Sequence, residues 1–333
     1  MHAPQLSSRA WARRKRQYRH IWVVGALVLA VFLILFLLPK TPQSTNSVVN
    51  AEGAQIPNAI QTHSSTTRYL GFGELPAGIA STVKLESAGL SRQAIIDIPD
   101  GETPYGGWPV IFVFHGYKQT VDKFRAGLGF EAAPAIKIYP QGIDLAWQSA
   151  PYAKTNESRA DETLVLDLLG NLNQSISLNW QKVFATGFSN GGGFAELLAC
   201  RMPDVFAGIA GVAAAHYTGF ATDCYPGTVP ILDIRGTDDG VISYSGGERH
   251  KVHYLSYKQI IETARLRNHC VGPVLIIPLT PVIMRREATI CAAPVRHISV
   301  IGGKHEWPGY QGSTSNKAPE NFATTEILQF FDL

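Results

Sequence analysis

The sequence predicts an α/β fold, a mainly parallel sheet covered by helices on both faces. Three observations carry that expectation. Short apolar runs at residues 110–114, 135–139, 183–186, 231–234 and 297–301 read as strands buried on both faces. Helical patterns, notably 161–173, 193–201 and 256–268, fall between several of these runs, and that alternation favours parallel pairing. Finally, Gly187-Phe188-Ser189-Asn190-Gly191 stands between an apolar run and a helical pattern. A serine is thereby placed on a sharp strand-to-helix turn, where only glycines let the backbones pass closely.

Taken in order, the chain opens on Arg9, Arg13, Arg14, Lys15, Arg16 and Arg19 with no acidic residue among them. Residues 21–38 follow without a charge, long enough to approach a membrane-spanning helix. The basic cluster would then stay cytoplasmic, and everything beyond Leu38 would be translocated. The expectation is a basic tail (1–20), an uncleaved signal anchor (21–38), a flexible polar spacer (39–67) and a catalytic domain (68–333). The rival reading is a cleaved signal peptide, with Val49-Asn50-Ala51 as the nearest small-residue site. Within the domain, residues 81–86 and 92–98 read as a hairpin turning at Ala88-Gly89, and the alternating runs continue from residue 110. No internal repeat is visible, and no stretch is left over for a separate lid domain. Substrate would be held by loops at the carboxyl ends of the strands.

Composition narrows the function. Of 333 residues, 45% are hydrophobic and 17% charged, which suits one large core. The net charge of +3 comes from the amino-terminal cluster, and the remainder is mildly acidic, with nothing to suit a nucleic-acid partner. The four cysteines all lie beyond the apolar run, and none stands in a Cys-x-x-Cys spacing. An even count in a translocated segment favours two disulfides. Proximity pairs Cys200 with Cys224 and Cys270 with Cys291, among three connectivities that sequence allows. No metal or organic cofactor is expected, and the sequence is silent on oligomeric state.

A serine hydroxyl attacks only once a base takes its proton and a carboxylate orients that base. The strand–Gly-x-Ser-x-Gly–helix context is the nucleophile elbow of the α/β-hydrolase fold, in which chain order runs serine, acid, histidine. His305 is the base best placed downstream, in the glycine-rich loop Gly302-Gly303-Lys304-His305-Glu306-Trp307-Pro308-Gly309 after the last clear strand. His297 lies on a strand, and His216, His250, His253 and His269 lack that context. The acid should follow the run 231–234, where Asp238 and Asp239 are adjacent, and spacing does not choose between them. An oxyanion hole needs two N–H donors. Asn190 is expected to supply one, and the loop His115-Gly116-Tyr117 the other, from Tyr117 with Gly116 as the alternative. His115 itself reads as a structural hydrogen-bonding residue.

Five segments occur in order: Phe114-His115-Gly116, Tyr139-Pro140-Gln141-Gly142, Ala185-Thr186-Gly187-Phe188-Ser189-Asn190-Gly191-Gly192, Gly236-Thr237-Asp238-Asp239 and Gly302-Gly303-Lys304-His305-Glu306-Trp307-Pro308. Together they resemble the secreted feruloyl esterases and the related polyhydroxybutyrate depolymerase-like esterases, over roughly residues 81–308. The resemblance implies that the acid is Asp239, and that Trp147 and Trp307 offer aromatic faces to substrate. Arg235 stands where that family's pattern has a histidine, and a membrane anchor is unlike a freely secreted wall-degrading enzyme. The expected function is an extracytoplasmic serine esterase acting on carbohydrate-linked phenolic or acyl esters. The alternatives are cleavage of hydroxyalkanoate oligomers and, in a different class, a non-catalytic binding module on a hydrolase scaffold.

Overall fold

A computed structural model describes residues 55–333 apart from 314 and 316. The run 21–38, read from sequence as an anchor, lies outside the described residues. Among those described, no helix is long and apolar enough to cross a membrane.

The elements run α1 (Asn58–Ser64), β1 (Ser81–Ser87), β2 (Leu90–Asp97), β3 (Trp108–Phe114), α2 (Val121–Arg125), β4 (Ile136–Pro140), α3 (Ala160–Leu172) and β5 (Leu178–Phe188). They continue with α4 (Asn190–Arg201), β6 (Gly208–Val212), β7 (Ile231–Gly236), β8 (Gly247–Arg249), β9 (Val252–Tyr254), α5 (Tyr257–Arg267), β10 (Val274–Thr280), β11 (Ile283–Ala288), β12 (Val295–Val300) and α6 (Phe322–Phe330). Ten strands form one sheet in the order β1-β2-β4-β3-β5-β6-β7-β12-β11-β10. The middle of it, from β4 to β12, is parallel throughout. Antiparallel hairpins extend both margins. This is the α/β-hydrolase architecture.

Alternation along the central strands splits the core into two. Val110, Phe112 and Phe114 of β3 face the side of α3 and α4, while Ile111 and Val113 face the side of α6. Both faces being covered explains why β3 is apolar at every position.

Several elements, β8 to β11, α2 and α6 among them, are absent from the sequence expectation, and two further departures have a plain physical reason. The spacer expected over residues 39–67 is folded in its last part: α1 packs on α3, Ile60 is buried, and His63 Nε2 lies 2.7 Å from Asp167 Oδ1. Ile60 in the helix and Ile56 just before it supply the apolar contact that a polar composition conceals. Strand β6 is also absent from the sequence expectation. Its sequence Gly-Ile-Ala-Gly-Val has two glycines in five residues and little strand propensity. Flanking by β5 and β7 makes it a strand regardless.

Candidate active site

Strands β5, β7 and β12 are parallel and close together in the sheet, so the loops at their carboxyl ends meet. Ser189 follows β5, Asp239 follows β7 and His305 follows β12. His305 Nε2 lies 3.0 Å from Ser189 Oγ, and His305 Nδ1 lies 2.7 Å from Asp239 Oδ2. A carboxylate at Nδ1 fixes the proton there, which leaves Nε2 as the acceptor of the serine hydroxyl proton. Asp239 is itself held in place. Its Oδ1 accepts the N–H groups of Val241 and Ile242, each at 2.8 Å, which turns Oδ2 toward the histidine. Of the two carboxylates that spacing leaves open, Asp239 is the one that meets His305. Asp239 is 2% exposed at its side chain, whereas Asp238 is 64% exposed and pairs with Lys304. The two loops are stitched together by Asp238 N–H to Gly303 O at 2.9 Å and Gly302 N–H to Thr237 Oγ1 at 2.9 Å.

The elbow is strained. Ser189 has φ 53° and ψ −114°, a region that side-chain-bearing residues rarely occupy. Its glycines are obligatory. A Cβ at Gly187 would sit 2.4 Å from Gly191 C, and one at Gly191 would sit 2.3 Å from Phe114 O.

Asn190, as the first residue of α4, has an N–H with no intrahelical acceptor. In the facing loop, Gly116 N–H is spent on Gln119 Oε1 at 2.8 Å and Lys118 N–H on Leu145 O at 2.9 Å. Among the described residues, Tyr117 N–H between them has no partner. The free donors are therefore those of Asn190 and Tyr117, not Gly116.

His115 holds this loop from below. Its Nε2 accepts Gly142 N–H at 3.0 Å and the Gln141 amide at 2.6 Å, so its proton is on Nδ1 and is donated to Gly116 O at 2.8 Å. Burial depresses its pKa to about 4, and it is neutral at pH 7. Gln141 also accepts Val121 N–H at 2.9 Å. Sequence reasoning misses these contacts because they join the ends of β3 and β4, strands that become neighbours only in the sheet. The Phe-His-Gly and Tyr-Pro-Gln-Gly segments are the only sequence signal.

The two tryptophans that the resemblance offers to substrate stand differently. Trp147 is wholly buried, so it presents no face to substrate. Its ring stacks on Phe194, its Nε1 donates to His115 O at 3.0 Å, and its main chain is clamped by the Asn190 side chain at 2.8 and 3.1 Å. A large ring next to three other aromatic groups is more stable as core than as a platform. Trp307 is only 3% exposed and donates to Thr324 Oγ1 at 3.0 Å. It does line a cleft beside His305, with Phe124, Phe188, Lys123 and Tyr310. More accessible aromatic groups stand on the oxyanion-loop side. Tyr117 stacks on Tyr152 at 4.0 Å, and His250, at the turn between β8 and β9, packs on Tyr152 at 4.8 Å.

Both expected disulfides are formed, Cys200–Cys224 and Cys270–Cys291. Among the described residues, Glu196, His216 and Asp233 bring three potential metal ligands within 4.8 Å of one another. They make a poor cation site, because Arg235 Nε donates to both Asp233 oxygens and His297 takes one of them as well.

The fold and the arrangement of these loops define an α/β-hydrolase. No family model matches the chain. It is 25% identical over 185 residues to feruloyl esterase D of Neurospora crassa, covering 50% of this chain and 60% of that protein. It is 28% identical over 250 residues to feruloyl esterase C of Emericella nidulans, covering 71% of this chain and 83% of that one. The chain thus spans less than two thirds of the first relative and most of the second. Among solved structures, an acetyl xylan esterase from Aspergillus awamori superposes with a TM-score of 0.52 at 13% identity, over 76% of this chain and 99% of that one. Within the α/β-hydrolase fold, the chain is similar at 25–28% identity to proteins named as feruloyl esterases.

Proposed function

We propose that this protein hydrolyses carboxylic esters of carbohydrates, carrying phenolic or simple acyl groups, through an acyl-enzyme. The observation that carries the reading is the unbroken line Ser189–His305–Asp239, with contacts of 3.0 and 2.7 Å. Ser189 Oγ attacks the ester carbonyl carbon while His305 Nε2 takes its proton. Asp239 stabilises the resulting imidazolium, and the N–H groups of Asn190 and Tyr117 stabilise the oxyanion. Collapse expels the alcohol, which leaves with the proton held by His305. Water then attacks the acyl-enzyme, His305 acting again as base, and releases the carboxylic acid and free Ser189. The named esters of the relatives, ferulates and acetylated xylan, guide the substrate class. The cleft beside His305 is where the departing alcohol would lie, since the base that protonates it borders that cleft.

The domain is read as extracytoplasmic. Its two disulfides support an oxidising compartment, and the basic then apolar amino-terminal pattern supports export. The direct test is a panel of methyl ferulate, acetylated xylo-oligosaccharides and 3-hydroxybutyrate oligomers, run beside a fluorophosphonate probe. Turnover of either of the first two, with the probe on Ser189, is expected. Turnover of the hydroxybutyrate oligomers alone would overturn the substrate class, and labelling elsewhere would overturn the site.

A further inference from the structure

We propose that Arg235 is a positioning residue for the nucleophile, acting through the main chain of residues 213–215; this rests on the reading of Ser189 as nucleophile. The strained serine persists only if its surroundings over-determine it. Outside its own helix, where Ser189 O accepts Gly193 N–H at 3.1 Å, its main-chain groups are held by the end of β6 and the segment that follows: Ser189 N–H donates to Val212 O at 2.9 Å, and Ser189 O accepts Ala215 N–H at 2.9 Å. That segment is itself unfavourable, with Ala213 at φ 45°. Something must fix it.

Arg235 does so. Its Nη2 donates to Ala214 O at 2.6 Å, the single side-chain hydrogen bond to the main chain of residues 213–215 among the described residues. Ala213 N–H meanwhile donates to Ile234 O, the residue before the arginine, at 2.8 Å. The guanidinium is aimed by Asp233, both of whose oxygens accept from Nε, at 2.8 and 2.9 Å. Asp233 is aimed in turn by His297 Nδ1 at 2.7 Å, and His297 by Tyr244 Oη at 2.9 Å. Arg235 and Asp233 are 2% and 0% exposed at their side chains. A rigid planar fork, bonded at one edge to a carboxylate and at the other to the carbonyl beside the elbow's clamp, sets where Ser189 Oγ lies relative to His305. A point-charge ammonium could neutralise Asp233 but would not reproduce both edges of that fork.

The experiment uses the full chain carrying Arg235→Lys and Arg235→Met, with kcat and KM normalised to active sites titrated by the fluorophosphonate. His63→Gln, which breaks the remote His63–Asp167 contact, is the stability control. The expected result is a kcat lower by roughly 10²-fold for Arg235→Met, the size that a misplacement of about 1 Å produces, with KM within about twofold. The probe's labelling rate should fall in parallel. Arg235→Lys should restore part of the loss, and His63→Gln should lose thermal stability at unchanged kcat. If Arg235→Met does not fold, Arg235→Lys carries the test, and a kcat per site equal to wild type overturns the proposal. An equal drop in kcat for His63→Gln also overturns it, because stability alone would then explain the effect. Failure of the probe to label Ser189 in the wild type sinks the functional reading itself, an outcome separable from normal labelling with indifferent Arg235 variants.

Discussion

Strands β7 and β12 carry one histidine–aspartate pair, the loops that follow them carry a second, and only the second stands beside a serine hydroxyl. Asp233 and His297 face each other in the β7–β12 ladder, 2.7 Å apart and wholly buried. Six residues beyond Asp233 and eight beyond His297, Asp239 and His305 meet again at 2.7 Å in the loops above. The pairs are equal in distance and differ in what the far nitrogen meets. His305 Nε2 meets Ser189, beside unused N–H donors and an open cleft, whereas His297 Nε2 meets the hydroxyl of Tyr244. Burial pushes the Asp233 carboxyl up, but Arg235 and His297 outweigh this and hold it below the ordinary carboxylate range. Burial also lowers His297, so the inner pair is a carboxylate and a neutral imidazole at pH 7. The difference thus lies in surroundings: one histidine–carboxylate pair is enclosed in the core, and a loop sets the other beside a serine and free N–H donors.

The contrast is broken most severely at the outer pair. Ser189→Ala and His305→Ala should each lower kcat on the order of 10⁶-fold, and the double variant should be scarcely worse, because the residues act as a unit. Steady-state kinetics with circular dichroism as the fold check will show whether this holds. Asp239→Asn should cost less, on the order of 10⁴-fold, by favouring the wrong tautomer of His305. Full activity in that variant would remove the acid assignment.

At the inner pair the damage should reach stability as well as the positioning that Arg235 provides. Asp233→Ala leaves the buried Arg235 guanidinium without its carboxylate, and chemical denaturation should report a loss of about 3–5 kcal/mol. A loss under about 1 kcal/mol would mean the pair is not the buried structural unit described. Acid should act in the same direction. His115 and His297 are both held below the ordinary histidine value, so the unfolded chain binds their protons more readily. Stability should be level above about pH 6.5 and fall below it, continuing toward pH 4 as His115 is forced to titrate. Urea midpoints across that range are the measurement, and a flat profile would contradict it. The smallest effect belongs to Asp238→Asn, whose exposed carboxylate pairs only with Lys304. Its kcat should stay within about twofold of wild type, as for a surface ion pair.

Much of the outer pair is legible in the sequence itself. Ser189 announces itself because the elbow demands glycines at fixed offsets, and His305 because it follows a strand in a glycine-rich loop. Asp239 is not separable from Asp238 by spacing, since the difference lies in the N–H groups of Val241 and Ile242 that turn one carboxylate inward. The central strands are readable as apolar runs, yet β6 is hidden by its glycines and α1 by its polar composition. The inner pair is hidden for another reason. A lone Asp on one strand and a lone His on another say nothing until the sheet order places β7 beside β12. Trp147 misleads in the opposite sense. The family resemblance offers its ring to substrate, and its complete burial makes it a prop instead.

The ladder pairing of Asp233 with His297 also bears on how the chain finds its fold. A slip of β12 by one residue against β7 would swap every inward side chain for its outward neighbour, bringing Arg296 or Ile298 opposite Asp233. The alignment that gives the buried carboxylate its imidazole is also the one that delivers His305 to Asp239. Misaligned molecules are therefore penalised in the interior before they could display a defective surface, and the silent pair serves as a proofreading mark for the working one.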